Sequence, residues 1–163
     1  GKLDSKMIYD LIPPDDPRLH TEIKKCSYDL DRKSLALTLV ENMMHYKGIG
    51  LSANQIGIEE RAFCMYTDLE TQATLTLFNP RIVHKSVREE RIVEGCLSFP
   101  GEEIAVTRPY AIVVKYEDEE KKLHKAKFSG ITARVFQHEY EHMIGQDFTQ
   151  YKKESTYEPA YWQ

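Results

Sequence analysis

The feature that most constrains this chain is a His-Glu-x-x-His motif near its C-terminal end, within the run QHEYEH at 137–142. Residues four apart on a helix lie one turn above each other on the same face, so His138 and His142 can both bind one metal ion. Glu139 then lies beside the metal without being a ligand, which is where a general base belongs. The motif therefore predicts a short buried helix that carries a catalytic metal site.

The motif alone leaves a second interpretation open, in which a polar helix face carries histidines at the surface or hydrogen-bonded in the core. A catalytic metal needs a third protein ligand and an open position for water. The residues after His142 contain no histidine, and their acidic residues are Asp147, Glu154 and Glu158. We therefore expect the third ligand to come from upstream.

Length and composition are those of one globular domain with its own core. The chain has 163 residues, of which 41% are hydrophobic and 29% charged. This predicts a single domain over 1–163 with a short C-terminal tail at 146–163. The net charge of −4 gives no support for a dedicated or sequence-specific nucleic-acid binder, and no apolar run is long enough to cross a bilayer. Three widely spaced cysteines argue against a disulfide framework and for a reducing compartment.

Two helices are predicted from the pattern of apolar residues. A four-residue spacing predicts an amphipathic helix over 31–47 that stops at Gly48, and a shorter helix is expected over 131–143 with its stop at Gly145. The stripe of the first helix comprises Leu35, Leu39, Val40, Met43 and Met44. The proline-rich segment 1–30 is predicted to be an extended arm over the body.

Residues 58–128 are expected to form short antiparallel strands, with turns at 79–80, 100–101 and 118–121. The predicted strands are 61–67, 73–78, 81–93, 104–106, 111–116 and 122–128. The fold class is therefore α+β, with antiparallel β-sheets packed around a buried late helix and one N-terminal amphipathic helix. The aromatic end at 157–162 is expected to be a strand-like tail or disordered.

Two further segments have more than one interpretation. The run GIGLSANQIG at 48–57 lacks the ending of a phosphate loop, so it is either a turn or a place where a substrate backbone approaches closely. Cys96, in the run EGCLSFP at 94–100, is either a buried small hydrophobe or the missing third ligand. The residues themselves leave both pairs of alternatives open.

Three segments together resemble the motifs of the peptide deformylases, in the family's order and with approximately its spacing. They are GIGLSANQ at 48–55, EGCLS at 94–98 and QHEYEH at 137–142. The runs PDDPRL at 14–19 and IAVTR at 104–108 also look like that family, so the resemblance covers about residues 7–149.

The resemblance implies a role for each motif residue. Cys96, His138 and His142 would bind one divalent metal ion, Fe(II) in the cell, with Ni(II), Co(II) or Zn(II) accepted in preparations. Glu139 would be the general acid/base, while Gln55 and the backbone N–H of Leu97 would stabilise an oxyanion. The expected reaction is removal of the N-formyl group from N-formylmethionyl peptides, with release of formate.

The substrate is expected to pair with backbone groups near Ile49 and Gly50 as an added strand. An apolar pocket around Ile49, Ile92, Ile131 and Val135 would take the methionine side chain. Glu94 is expected to belong to the same substrate-binding region, although we interpret it mainly as a buried carboxylate that helps to hold the loop and the helix in place.

Arg108 is expected to support the site with Glu94, and Glu141, which replaces the family's usual aspartate, is expected to pair with that arginine. Ser52 stands where alanine is common. Glu103 stands where many members carry a substrate-binding arginine, which puts affinity for longer peptides in doubt.

The expected partners are N-formylmethionyl peptides, including nascent chains at the ribosome, but not a membrane. Docking by a C-terminal helix, as in many bacterial members, is not expected because too little chain follows the motif. The expected location is the cytoplasm, or an organelle lumen or host cytoplasm if a transit segment has been removed or the source is viral. The first residues, 1–5, are possible foreign additions. Two other functions are considered: a zinc endopeptidase and a catalytically silent peptide-binding protein.

Overall fold

The structure is a computed structural model, which describes residues 7–155. It contains two long helices, α1 (Arg32–His45) and α2 (Gly130–Met143), and a short third helix, α3 (Lys152–Ser155). Seven strands lie between and around them: β1 (Gly50–Ser52), β2 (Ala62–Asp68), β3 (Ala73–Lys85), β4 (Glu89–Glu94), β5 (Ile104–Pro109), β6 (Ala111–Glu117) and β7 (Leu123–Ser129). The expectations for residues 1–5 and 157–162 lie outside the described residues.

The strands form two antiparallel sheets. Five strands make one sheet in the order β1-β2-β3-β6-β7, and β4 pairs with β5 in a separate ribbon. Helix α1 packs on one face of the larger sheet, with Leu39 and Met43 against Cys64 and Phe78. Helix α2 packs on the opposite face through residues such as Phe136. The predicted α+β class, with antiparallel sheets around a buried late helix, is confirmed.

Helix α1 follows its sequence pattern closely at its start. Asp31 precedes the helix in an extended conformation, and its side chain accepts a hydrogen bond from the Ser34 N–H, as an N-cap should. The predicted apolar stripe is wrong at one position, because Met44 is 45% exposed. The apolar face therefore ends with Met43, one residue earlier than expected.

The end of α1 differs from the prediction. The left-handed residue is Lys47 (φ 60°), not Gly48. The Lys47 N–H donates to the Met44 carbonyl and the Gly48 N–H to the Met43 carbonyl, which is the Schellman pattern. Gly48 lies close to another segment, because a Cβ there would be 2.7 Å from Leu97 Cδ1, so a side chain at this position would require Leu97 to shift.

The predicted turn at 79–80 is wrong. Strand β3 runs through it from Ala73 to Lys85, with irregular pairing to β6 between Phe78 and Arg81. Asn79 is accommodated there with φ 50°, and its side chain accepts a hydrogen bond from the Cys26 N–H. Contacts with the N-terminal arm thus stabilise a bulge where the local sequence predicts a turn.

The predicted strand over 81–93 is also wrong, because it joins parts of two sheets. Its first half completes β3, the chain turns at residues 86–88, and the second half is β4 of the separate ribbon. The glycine-rich run at 48–57 contains strand β1 and a short 3₁₀ helix, Ala53–Ile56, before Gly57 takes φ 80°. No helix within residues 7–155 combines the length and apolar character needed to cross a membrane.

Candidate metal centre and active site

A cavity of about 390 Å³ opens where β1, β4 and the first turns of α2 meet. Four apolar side chains predicted to form a pocket line it, namely Ile49, Ile92, Ile131 and Val135. Three of the four are partly exposed at its rim, from 41% for Ile92 to 50% for Ile131. The sequence-predicted apolar pocket is thus present as an open cavity whose floor is polar.

Three potential metal ligands meet at this floor. Cys96 Sγ and ring nitrogens of His138 and His142 all lie within 4.8 Å of one another. Cys96 follows β4, whereas the two histidines are one turn apart on α2. The residues that the sequence places far apart are therefore brought together by the approach of the ribbon to the helix.

The donor set fits a metal ion of tetrahedral preference. Cys96 Sγ lies 3.5 Å from His142 Nε2. Bond lengths of about 2.3 Å to sulfur and 2.0–2.1 Å to nitrogen imply a separation of about 3.5 Å between two tetrahedral ligands. One thiolate and two imidazoles suit iron, nickel, cobalt or zinc and not the hard cations magnesium and calcium. This is a Cys/His/His metal-binding site, and its donors alone do not select the ion.

Glu94 fixes the orientation of His138. The His138 Nδ1 lies 2.9 Å from Glu94 Oε1, and both side chains are buried. Because an ionised carboxylate only accepts hydrogen bonds, Nδ1 must donate. In the neutral imidazole, Nε2 is then the nitrogen without a proton, and it is the one available to a metal.

Arg108 lies between two carboxylates and forms two hydrogen bonds with each. It donates to Glu94 at 2.6 and 2.9 Å and to Glu141 at 3.0 and 3.1 Å. Burial raises the pKa of Glu94, but hydrogen bonds from Arg108 and His138 outweigh it and hold that pKa at about 2. Burial lowers the pKa of Arg108, and its bonds to the two carboxylates raise it above the usual value. Glu94 is therefore ionised and its oxygens are already engaged.

Two members of this network were missed in the sequence. Arg134 donates to Glu94 Oε2 at 2.6 Å and to the carbonyl oxygens of Val106 and Glu90. Tyr151 donates to Glu141 Oε2 at 2.5 Å. Arg134 stands four residues before His138, so helical spacing could have identified it as a neighbour on the same face. Nothing in the local sequence of Tyr151 marks it.

Glu139 lies in the wall of the cavity with only 4% of its surface exposed. Burial raises its pKa, and a hydrogen bond from Ser52, whose Oγ is 2.8 Å from Oε1, offsets part of the rise. Gly50 makes room for it, because a Cβ on that glycine would lie 2.9 Å from Glu139 Oε2 and from Val135 Cγ1. A carboxyl group with a raised pKa is better matched to proton transfer near neutral pH.

Gln55 points its side-chain amide toward the metal ligands. Its Oε1 accepts from the Ser52 N–H at 2.9 Å, which leaves Nε2 directed inward. That nitrogen donates to Ser98 Oγ at 2.8 Å and lies 3.6 Å from Cys96 Sγ. Leu97, between these two residues, lines the same cavity. The contacts of Ser52 and Ser98 were not predicted, since both depend on the approach of segments that are distant in the chain.

The two histidines differ in their surroundings. Burial lowers the pKa of His138, but bonding to Cys96 and Glu94 outweighs it and the pKa lies well above the usual value. Burial and the nearby charge of His138 lower the pKa of His142 well below it. His142 Nδ1 is buried without a hydrogen-bond partner among residues 7–155. Its ring is held instead by packing at 5.6 Å from the His138 ring.

The structure brings nearly all the sequence-predicted site residues to one place. Those that line the cavity are Ile49, Gly50, Gln55, Glu94, Cys96, Leu97, Ile131, His138 and Glu139. His142 lies fully buried beneath them, and Arg108 with Glu141 lies behind the histidines. The carboxylate of Glu94 is used by its neighbours, so its contribution to the cavity differs from that of the apolar lining.

Comparison with known proteins gives a consistent result. The sequence profile of the polypeptide deformylase family matches residues 8–157. Peptide deformylase 2 of Prochlorococcus marinus is 40% identical over 115 residues, which are 69% of this chain. Peptide deformylase of Natranaerobius thermophilus is 38% identical over 135 residues, which are 82% of this chain.

The matched lengths differ between relatives. The chain spans 57% of the Prochlorococcus protein but 85% of the Natranaerobius protein.

The crystal structure of peptide deformylase from Thermotoga maritima superposes with a TM-score of 0.82 and 32% identity, covering 88% of this chain and 97% of that one. The motifs, the fold and the family profile agree, and the chain belongs to the polypeptide deformylase family.

Proposed function

We propose that the chain is a metal-dependent hydrolase that removes the N-formyl group from formylmethionyl peptides and releases formate. The observation that carries the proposal is the arrangement of Cys96, His138 and His142 beside Glu139 at the floor of an apolar cavity. Family membership supports it. We propose Fe(II) as the ion, with Ni(II), Co(II) or Zn(II) as substitutes.

Substrate binding uses the cavity and its rim. The formylmethionyl side chain lies among Ile49, Ile92, Ile131 and Val135, where apolar contact favours methionine over polar residues. The extended backbone of the peptide lies along β1 near Gly50, where the missing side chain allows close approach. In this arrangement the formyl carbon lies above the metal ligands at the floor of the cavity.

The chemistry requires an activated water because an amide resists attack. A divalent cation held by Cys96, His138 and His142 would polarise the formyl oxygen and lower the pKa of a water to about 7. Glu139 takes the proton from the attacking water, and its raised pKa makes it a competent base. It later gives that proton to the leaving amine as the C–N bond breaks.

The oxyanion is stabilised by two donors of this chain. The side-chain N–H of Gln55 gives up its hydrogen bond to Ser98 and donates instead to the oxygen on which negative charge develops. The backbone N–H of Leu97 is the second donor. Loss of one such donor typically costs about 3 to 4 kcal/mol in the transition state. Glu94, Arg108, Arg134 and Glu141 do not touch the substrate in this scheme; they orient His138 and hold β4 and β5 against α2.

The substrates are newly made polypeptides, and the location is the compartment in which they are made, cytoplasmic in a bacterium. A sulfur ligand makes the site sensitive to oxidation. We therefore expect an iron-loaded preparation to lose activity in air, measured as formate release before and after exposure.

The test is formate release from a formyl-Met tripeptide after anaerobic reconstitution with Fe(II) or Ni(II), beside Glu139→Ala. The proposal predicts rapid release by the parent and at least about a hundredfold less by the variant, with equal metal content. If neither protein releases formate while both bind metal and peptide, the peptide-binding alternative is correct. Cleavage at an internal bond would instead indicate an endopeptidase.

A further inference from the structure

Lys47 contributes an unpaired positive charge to the cavity that holds the metal ligands. Among the other charged residues that line this cavity, Glu94 is bonded to Arg134 and His138, and Glu139 is buried. Lys47 is exposed, and its ammonium group has no hydrogen-bond or ion-pair partner among residues 7–155. The mouth of the cavity therefore carries one cation that is free to bind a ligand.

A peptide can leave the metal centre in only one direction along β1. Gly50 lies beside the general base, because a Cβ there would be 2.9 Å from Glu139 Oε2. Residues 51–56, which follow Gly50, are all buried, whereas Ile49 is 44% exposed and Lys47 is exposed. A peptide whose formyl group lies beside Gly50 must therefore run antiparallel to β1, and its later residues pass Lys47.

The open edge of β1 decides on which side the peptide lies. Strand β1 is at the edge of its sheet and pairs only with β2, and the Ile49 carbonyl accepts a hydrogen bond from the Tyr66 N–H at 3.1 Å. The carboxylates of Asp68 and Glu70 belong to a second cavity, on the side of β2. An added strand pairs with the other edge, toward β4, where the charge at the rim is that of Lys47.

Strand pairing indicates which residues of the peptide come near this lysine. With the methionine opposite Gly50, the second and third residues of the peptide lie opposite Ile49 and Gly48. Successive residues of a strand are about 3.3 Å apart, and the lysine side chain is long and flexible, so its ammonium group reaches both positions.

Stability of helix α1 does not by itself explain a lysine at this position. A cation near the C-terminal end of a helix is favoured by the helix dipole. Lys47 has φ 60°, however, and the steric cost of this conformation to a residue with a Cβ is at least as large as that gain. A strained residue at the rim of a cavity points to a role in binding.

We propose that Lys47 gives the enzyme a preference for formylmethionyl peptides with an acidic side chain at the second or third residue. The inference rests on the proposed function, whose substrate class it narrows. The ammonium group of Lys47 attracts the carboxylate of such a residue and repels a lysine or arginine at the same place. Because this contact lies away from the formyl group, it stabilises the bound substrate and the transition state equally.

The test is formate release by the metal-loaded full chain from tripeptides with an amidated C-terminus. In these peptides Glu, Gln or Lys is placed at the second or the third residue, and alanine is at the other position. The variants are Lys47→Gln and Lys47→Glu. The matched control is Lys125→Gln, which removes the same charge from an exposed position on β7, the opposite edge of the sheet.

The readout is the ratio of kcat/KM for the Glu peptide to that for the Lys peptide. At low salt, we expect this ratio to be at least about twofold higher in the parent than in Lys47→Gln, as for an exposed ion pair, and lowest in Lys47→Glu. The difference should lie in KM and not in kcat, because uniform binding is what the substitution removes. It should shrink at about 1 M salt, where the Debye length is about 3 Å.

The control should have the ratio of the parent. An equal ratio in the parent and in Lys47→Gln at both positions of the peptide would overturn the inference. An equal drop in Lys125→Gln would also overturn it, because the effect would then belong to the net charge of the chain.

Failure of the proposed function has a different outcome, which is absence of formate release from every peptide. The affinities of the same peptides with a C-terminal fluorescent label, measured by anisotropy, then test the charge preference separately. Tighter binding of the Glu peptide by the parent than by Lys47→Gln would support the role of Lys47, and equal affinities would overturn it.

Discussion

Helices α1 and α2 have the same length, 14 residues each, but bury different chemistry. Four of the seven buried residues of α1 are apolar and pack on one face of the sheet, with Leu39 and Met43 fully buried; the other three are Arg32, Thr38 and Asn42. Helix α2 buries its polar side chains as thoroughly as its apolar ones. Those polar residues are Arg134, Gln137, His138, Glu139, Glu141 and His142.

The two helices therefore stabilise the fold in different ways. Removal of apolar surface from water stabilises α1 directly, at about 25 cal/mol per Å². Burial of charge on α2 costs free energy unless every group is paired, so its position depends on the network around Arg108. We expect substitutions on α1 to change stability alone, and substitutions around α2 to change metal binding or catalysis as well.

The largest effect on stability is expected for Arg108→Ala. This change leaves the carboxylates of Glu94 and Glu141 buried without their common partner, which typically costs 3–5 kcal/mol, roughly. Without Arg108, Glu94 no longer holds the ring of His138 in one orientation, so metal affinity should fall about 10- to 100-fold. Chemical denaturation and a competitive metal titration measure the two effects.

The control is Arg18→Ala, because Arg18 pairs with Asp16 at 2.8 Å but is 40% exposed. An ion pair that water screens in this way contributes little to stability. If both arginine variants lost the same small amount of stability, the network behind the histidines would not be the support that we describe.

Leu39→Ala is expected to have the next largest effect. The side chain is fully buried between α1 and the sheet, and such a truncation typically costs about 2 to 5 kcal/mol. Urea denaturation should detect this loss, with metal affinity unchanged in the folded protein. Leu37→Ala, at a position that is 48% exposed, should stay within about 0.5 kcal/mol of the parent. A change in metal affinity for Leu39→Ala would contradict the expectation that substitutions on α1 change stability alone.

Lys47→Gly is expected to raise the free energy of unfolding, by less than Leu39→Ala lowers it. Lys47 has φ 60°, a conformation that glycine adopts without the steric cost of a Cβ, so thermal unfolding should show a gain of about 1 kcal/mol. Lys33→Gly, within the first turn of α1, should instead lose about 0.5 to 1 kcal/mol. The same sign for both substitutions would contradict the assignment of Lys47 as the helix cap.

Local pattern predicted both long helices and most strands, because their apolar periodicity agrees with the tertiary structure. It failed where distant contacts decide the conformation. Strand β3 continues through Asn79 because the N-terminal arm binds that side chain. The helix ends one residue before the expected stop, with Lys47 and not Gly48 in the left-handed conformation.

The site was predicted in part for the same reason. The spacing of His138 and His142 placed two donors on one helix face, and the resemblance to a family supplied Cys96. The bonds from Ser52 to Glu139 and from Arg134 to Glu94 were not predicted, since each joins segments far apart in the chain. No local pattern encodes such pairings.

We propose that Glu139 serves the chemistry, whereas Leu39 serves the stability of the fold. The most direct measurement is kcat/KM for formate release per folded, metal-loaded molecule, in Glu139→Gln and Leu39→Ala. We predict a loss of about 10² to 10⁴ for Glu139→Gln, whose fold should be at least as stable as the parent's, and no loss for Leu39→Ala. Equal activity per folded molecule in the two variants would contradict the account.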